Sequence, residues 1–238
     1  MKHANEVNIH TWRLDIDEDH LPEEAFLPTV TKEDAGKVLI VSSDGIWKMK
    51  EFSGGAPSAY IEEIHDSNGN PVEVNIVGYT FVRNKAYQDC TNLVQVSLPS
   101  GLTSIGDKAF AGCTNLALTS LPSGLTNIRI GAFNGCKNLA LTSLPSGITS
   151  IKNSVFNSCT NLALTNLPSG ITSIEDSAFD NCTSLTSITF EGTPTSVSNT
   201  AFDGCTNLGT INVPWAEGEV SGAPWGARNA TINYNYVP

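Results

Sequence analysis

The sequence predicts a right-handed solenoid built around one parallel β-sheet, and three observations predict it. Cys90, Cys113, Cys136, Cys159, Cys182 and Cys205 recur every 23 residues. Tyr87, Phe110, Phe133, Phe156, Phe179 and Phe202 each stand three positions before a Cys, and Leu93, Leu116, Leu139, Leu162, Leu185 and Leu208 three after one. A unit this short has no core of its own, so neighbours must stack and share one continuous apolar interior.

Each unit begins with a stretch such as "LVQVSLP" (Leu93 to Pro99), whose β-forming residues alternate inward and outward. The proline cannot donate to a ladder and closes the strand. Pro99, Pro122, Pro145, Pro168 and Pro214 mark these ends, and Ile105, Ile128, Ile151, Ile174 and Val197 supply the next inward position. The return leg, "SIGDKAFAGC" (Ser104 to Cys113), opens with Gly and Asp turn chemistry. Its "AF" pair is read as one short helical or 3-10 turn on the convex side, with Phe and Cys pointing inward. Ala86, Ala109, Ala132, Ala178 and Ala201 precede the aromatic, with Val155 the exception.

Equal spacing also decides the cysteine chemistry. Stacked rungs lie ~4.8 Å apart with parallel Cβ vectors, which misses the ~3.8 Å Cβ separation of a disulfide. The thiols are expected to be free and buried. A one-dimensional ladder also supplies no tetrahedral cluster for a metal.

The pattern C-x-x-L-x-x-I-x-L-P-x-x-L-x-x-I-x-x-x-A-F resembles the BspA-like leucine-rich repeats of bacterial and phage surface proteins. Cys90, Leu93, Val96, Leu98, Pro99, Leu102, Ile105, Ala109 and Phe110 fill every slot of one unit, and the resemblance runs from about Gly78 to Val213. It implies a leucine-rich-repeat solenoid. Two departures stand out. "FEGTPTSVSN" (Phe190 to Asn199) displaces its proline to Pro194, and three near-identical units place Thr119, Thr142 and Thr165 where an inward Ile is expected. Those units carry Leu118, Leu141 and Leu164 one residue earlier. Either these leucines form an outward apolar stripe, or a local bulge turns them inward and the threonines out. The bulge is the expected outcome, because three stacked exposed leucines on a sheet invite aggregation.

The flanks divide the chain further. Residues 1–52 are dense in charge and hold three of the four His, and 53–59, "SGGAPSA", is linker-like. In the first segment, "KVLIVSSDGIWKM" reads as two strands around Asp44-Gly45, and Thr31 of "TKED" as a helix N-cap. The span Leu27 to Met49 resembles attachment modules of phage tail and baseplate-associated proteins. Residues 60–86, with strands around "SNGNP", are expected to cap the N-terminal end of repeats 87–213. The tail, 214–238, breaks the beat and brings Trp215 and Trp225 as an aromatic cap, with sugar stacking on the pair as the alternative. It resembles the endings of prophage-borne BspA-like proteins.

Several functions are disfavoured. With 24 Asp and Glu against 13 Lys and Arg, the chain is a poor partner for phosphate backbones or anionic membrane surfaces. It has no apolar run of membrane-spanning length and no apolar core of a signal peptide near Met1. His3, His10, His20 and His65 all lie outside the repeats, so none activates a Ser or Cys on the scaffold. "DIDEDH" has the alternate acids Asp15, Asp17 and Asp19 of a calcium loop but fails at His20 and Phe26. No cofactor is implied.

The expectation is a non-enzymatic interaction or structural protein. It would be a phage or prophage tail-associated component that attaches through residues 1–52, with oligomerisation possible there, and presents the repeats to a protein or glycan on a bacterial surface. That places it in a virion tail, outside the cell or on its surface. A bacterial surface adhesin is the alternative, and a hydrolase with its site in residues 1–75 a third. Candidate binding residues are Gln95, Ser97, Leu118, Leu141, Leu164, Asn166, Trp215 and Trp225, with Ser120, Ser143, Thr189 and Asn212 as further outward positions.

Overall fold

The computed structural model describes residues 10–13, 37–41, 47–51, 60–66 and 68–237. Three strands precede the solenoid: β1 (His10–Arg13), β2 (Lys37–Val41) and β3 (Trp47–Glu51). β2 and β3 pair antiparallel with Val41 opposite Trp47, the two strands expected around Asp44-Gly45. The turn itself, the helix start at Thr31, the acidic run Asp15 to Asp19 and the linker 53–59 lie outside the described residues. β4 (Tyr60–His65) and β5 (Pro71–Val77) form an antiparallel hairpin. β1 adds to the outer edge of β4.

Asp66 ties this hairpin to the repeats. Its Oδ1 accepts the amides of Asn68 and Asn70, both at 2.9 Å, and its Oδ2 accepts Asn92 Nδ2 at 2.5 Å from the first repeat. These bonds, the Asn70 amide foremost, favour the ionised form and lower its pKa to about 2.

The repeats contribute β6 (Phe81–Val82), β7 (Gln95–Ser97), β8 (Ser104–Ile105), β9 (Asn127–Ile128), β10 (Ser150–Ile151) and β11 (Asn166–Leu167). They continue with β12 (Ser173–Ile174), β13 (Ser187–Phe190), β14 (Ser196–Val197), β15 (Thr210–Asn212) and β16 (Thr231–Asn233). The expected strands before each proline form a parallel ladder in two parts, β5-β7 and β11-β13-β15-β16. A second parallel ladder, with two residues per turn, is added after the prolines as β6-β8-β9 and β10-β12-β14.

The third side of each turn contains no helix among the described residues; the expected helical turn is a run of hydrogen-bonded turns. The cause is a pair of left-handed residues around each aromatic from Tyr87 to Phe179: Lys108 (φ 54°) and Gly112 (φ 75°) flank Phe110, and Ser154 (φ 55°) and Ser158 (φ 59°) flank Phe156. A right-handed helix cannot pass through them. Alternate amides point along the solenoid axis instead. Tyr87 donates to the Ala109 carbonyl, Phe110 to Ala132, Phe133 to Val155, Phe156 to Ala178 and Phe179 to Ala201, all at 2.7–3.0 Å. The turn side is therefore a third inter-turn ladder, and it runs without a break.

Inside this ladder lies the core. Five parallel ring pairs run from Tyr87 to Phe202, with centroids 5.2–5.9 Å apart and interplanar angles of 4–14°. Leu93, Leu116, Leu139, Leu162, Leu185 and Leu208 are buried opposite. The tail breaks the beat in its strand, since β15 pairs with β16 at an offset of 21 residues, and keeps it at one position. Trp225 stands 23 residues after Phe202, whose amide donates to the Trp225 carbonyl at 2.9 Å. Phe190 meets Trp215 edge-on at 5.2 Å and Trp225 at 5.9 Å, closing the C-terminal end.

The three near-identical units bulge. Leu141 and Leu164 are buried and Leu118 half-buried, while Thr119, Thr142 and Thr165 are exposed. The Ala140 and Ala163 amides donate to the carbonyls of Leu118 and Leu141, an offset of 22, where Ala117 to Val94 keeps 23. Burying leucine rather than a threonine hydroxyl decides the register, since an unpartnered hydroxyl in the core is penalised while a leucine there gains ~1.5–3 kcal/mol. The slip has a cost in pairing: Ala117–Leu121 and Ala140–Leu144 form no strand.

Phe156→Ala is expected to lose about 3–5 kcal/mol by transfer and cavity effects, and Tyr87→Ala, at the end of the stack, less. Leu141→Ser should cost about 2–5 kcal/mol and Thr142→Ser under about 0.5 kcal/mol. Denaturant unfolding checks all four; equal losses at Leu141 and Thr142 would contradict the bulge.

Candidate binding surface

The strand face is built from the outward residues of the turns before each proline. Gln95 and Ser97 project from β7, whose inward Val96 is buried. Asn166 projects from β11 beside the buried Leu167. All three are exposed. The other candidates divide otherwise. Leu141, Leu164, Trp215 and Trp225 are buried in the core and present no surface, and Leu118 is half-buried against it. The Trp pair is thus packing, with ring centroids 6.3 Å apart, and offers no face for a sugar. Trp225 Nε1 donates to the Ser221 carbonyl at 2.8 Å.

Side chains on this face are linked along the solenoid axis. Asn166 Nδ2 donates to Glu191 Oε1 at 2.9 Å, Asn212 Nδ2 to Thr189 Oγ1 at 3.1 Å, and Asn233 Nδ2 to Asn212 Oδ1 at 2.8 Å. Glu191 and Asn233 were not anticipated; the 23-residue beat carried as far as Asn212 points to neither, because Asn233 follows at 21 residues and Glu191 at 25. Such links hold the amides in place before any partner arrives, which lowers the ordering cost of binding.

Over four consecutive turns this face is free of charge, with Glu73 before them and Glu191 after them. Leu93–Ile105, Leu116–Ile128, Leu139–Ile151 and Leu162–Ile174 contain no Asp, Glu, Lys, Arg or His. The charged groups of these turns sit on the turn side, where Arg129 Nε meets Asp107 Oδ1 at 3.2 Å and Lys152 Nζ meets Glu175 Oε1 at 2.8 Å. Asp180 lies there too. Burial and then the Asp203 carboxylate beside it raise its pKa above 3.8.

The five buried thiols are poor nucleophiles. Cys113, Cys136, Cys159, Cys182 and Cys205 are free, and each Sγ donates to the carbonyl of the aromatic residue 26 positions back at 2.9–3.1 Å. Burial pushes Cys113 and Cys205 up to about 12 and raises Cys136, Cys159 and Cys182 as well. Without thiolate there is no attacking group. Among the described residues, no three His, Cys, Asp or Glu side chains gather as a metal site, and no helix is long and apolar enough to cross a membrane.

Comparison with known proteins matches the BspA type leucine rich repeat region in six copies over residues 80–209. A leucine-rich repeat protein of T. pallidum is 32% identical with a TM-score of 0.50, covering 63% of this chain and 79% of that chain. A leucine rich cell surface protein of Faecalibacterium prausnitzii A2-165 is 24% identical with a TM-score of 0.52, covering 81% of this chain and 56% of its own. A leucine-rich repeat protein of Bacteroides ovatus ATCC 8483 is 22% identical with a TM-score of 0.55, covering 68% and 43%. At these identities the last two show a shared fold, and this chain spans about half of each. No curated protein sequence matches.

The raised pKa of Asp180 means that its ionised form works against the fold: the stabilisation from its protonated form is present below 3.8 and lost as pH rises through the raised value. Asp180→Asn, which still offers an acceptor to Asn157, is expected to raise the melting temperature at pH 7 by a margin that shrinks towards pH 3. A margin that stays constant with pH would contradict this origin.

Proposed function

The chain belongs to the BspA type leucine-rich repeat family, and from that premise we propose that it is a non-enzymatic recognition protein displayed on a bacterial surface. Its strand face would contact a protein or glycan of another cell or matrix. The observation that carries this reading is the strand face itself, free of charge over the four turns from Leu93 to Ile174, with Asn166, Asn212 and Asn233 held by axial hydrogen bonds in a chain of net charge −11. The description of the Faecalibacterium relative as a cell surface protein supports display. Buried, protonated thiols support a role without covalent catalysis.

A second reading, an arm on a phage or prophage tail, rests on the sequence resemblance of Leu27 to Met49 to tail attachment modules, which the comparisons do not bear out. The two readings part on where the protein is found, since a tail component co-purifies with virions and a surface adhesin with cell envelopes.

Binding of the full-length protein to whole bacterial cells and to their purified wall glycans tests the proposal. At least one surface is expected to retain it, and Gln95→Ala with Ser97→Ala is expected to weaken retention about tenfold at unchanged melting temperature. Unaltered retention of that double variant would move the site off the strand face.

A further inference from the structure

The second ladder has a surface of its own. Its outward positions form two ranks along the solenoid. One rank is threonine at every turn from Thr80 to Thr195, all exposed. The other is Ser or Asn on five turns and Phe81 on the first, where the ring is 47% exposed. Phe81 pairs with Ser104, and Ser104 with Asn127, so the ring lies in line with the polar rank.

Three features of these ranks select a partner. The first is order. Thr103 Oγ1 donates to the Thr80 carbonyl at 2.9 Å, Thr126 to Thr103 at 3.2 Å, Thr172 to Thr149 at 2.9 Å and Thr195 to Thr172 at 2.8 Å. With these four hydroxyl hydrogens committed, their oxygens become fixed acceptors in a rank of six threonines at strand pitch, ~4.8 Å apart over about 24 Å. The Ser and Asn rank adds donors beside them. The second is neutrality. The ranks contain no ionisable residue in a chain of net charge −11, and the adjoining Arg129 and Lys152 are engaged by Asp107 and Glu175. Within the two ranks a charged polymer finds no counter-charge. The third is Phe81 itself. An exposed ring where the other five turns carry Ser or Asn is not required by the repeat, and an aromatic face flush with hydroxyls is suited to the apolar face of a sugar ring.

We propose that this ladder binds an extended neutral polysaccharide lying along the solenoid axis, with Phe81 stacking on one sugar and the Thr and Ser/Asn ranks bonding to hydroxyls of those that follow. An extended pyranose chain presents hydroxyls at a repeat of the same order as the strand pitch, so successive turns meet successive sugars. The surface is separate from the strand face and stands whether or not that face binds.

Affinity electrophoresis of the full-length protein tests this, in native gels holding a soluble β-glucan, a galactomannan or, as charged control, polygalacturonate. At least one neutral polymer is expected to retard the protein and polygalacturonate to leave it unaffected. Phe81→Ala and Asn127→Asp should each weaken retardation about tenfold without shifting the melting temperature, while Asn166→Asp on the strand face should not weaken it. The proposal is overturned if neither neutral polymer retards the chain, or if the two ladder variants are retarded like the parent. A marked fall in melting temperature of Phe81→Ala would also overturn it, because the ring would then be packed against the chain.

Discussion

A buried thiol proton given to the carbonyl of the aromatic residue one turn back is the constraint on which the rest of this solenoid depends. Each Cys from Cys113 to Cys205 makes that bond across 26 residues, and it forms only if consecutive turns are in register. The bond is weak by itself. It is repeated beside a stack of rings 5.2–5.9 Å apart and beneath an unbroken ladder of turn-side amides, so register is fixed three ways at once. The interval of 23 residues is the chain length that closes one circuit back to this spine. The same burial that seats the thiols keeps them protonated and unreactive.

With register held on the turn side, the strand side is free to vary. The ladder between β7 and β11 is interrupted over two turns and the chain accepts the loss, because Leu141 and Leu164 remain in the core. From Leu93 to Ile174 charges keep to the turn side, where Arg129 and Asp107, and Lys152 and Glu175, join neighbouring turns. Such exposed pairs contribute little to stability; their consequence is a neutral surface elsewhere. Two faces carry the proposed contacts, the strand face with its linked asparagines and the short ladder with its threonine rank.

Much of this was legible in the sequence, and the reasons for the rest are physical. The Cys, Phe and Leu series fixed the solenoid, and the antiparallel hairpins at 37–51 and 60–77 followed from strand pairs around turn residues. The second ladder was missed because two residues such as Ser104–Ile105 are too short to show a period of two. The turn side was misread as helical because the left-handed positions are glycine at Gly112, Gly131 and Gly135 but Lys108, Ser154 and Ser158 elsewhere, and those residues give no warning of positive φ. Trp225 was legible by counting 23 from Phe202, yet its changed surroundings masked the beat. Of the candidate residues, Gln95, Ser97 and Asn166 were placed correctly outward by alternation. Leu118, Leu141 and Leu164 could not be placed by alternation, since a one-residue slip exchanges the faces.

Native-state hydrogen exchange, resolved to single amides, tests most directly whether the turn side holds the solenoid while the strand side is interrupted. The account predicts slow exchange for the amides of Phe110, Phe133, Phe156 and Phe179, which donate between turns, and fast exchange for Thr119, Ser120, Thr142 and Ser143, which lie in no strand. Protection at Thr119 to Ser143 equal to that at Phe133 and Phe156 would contradict it.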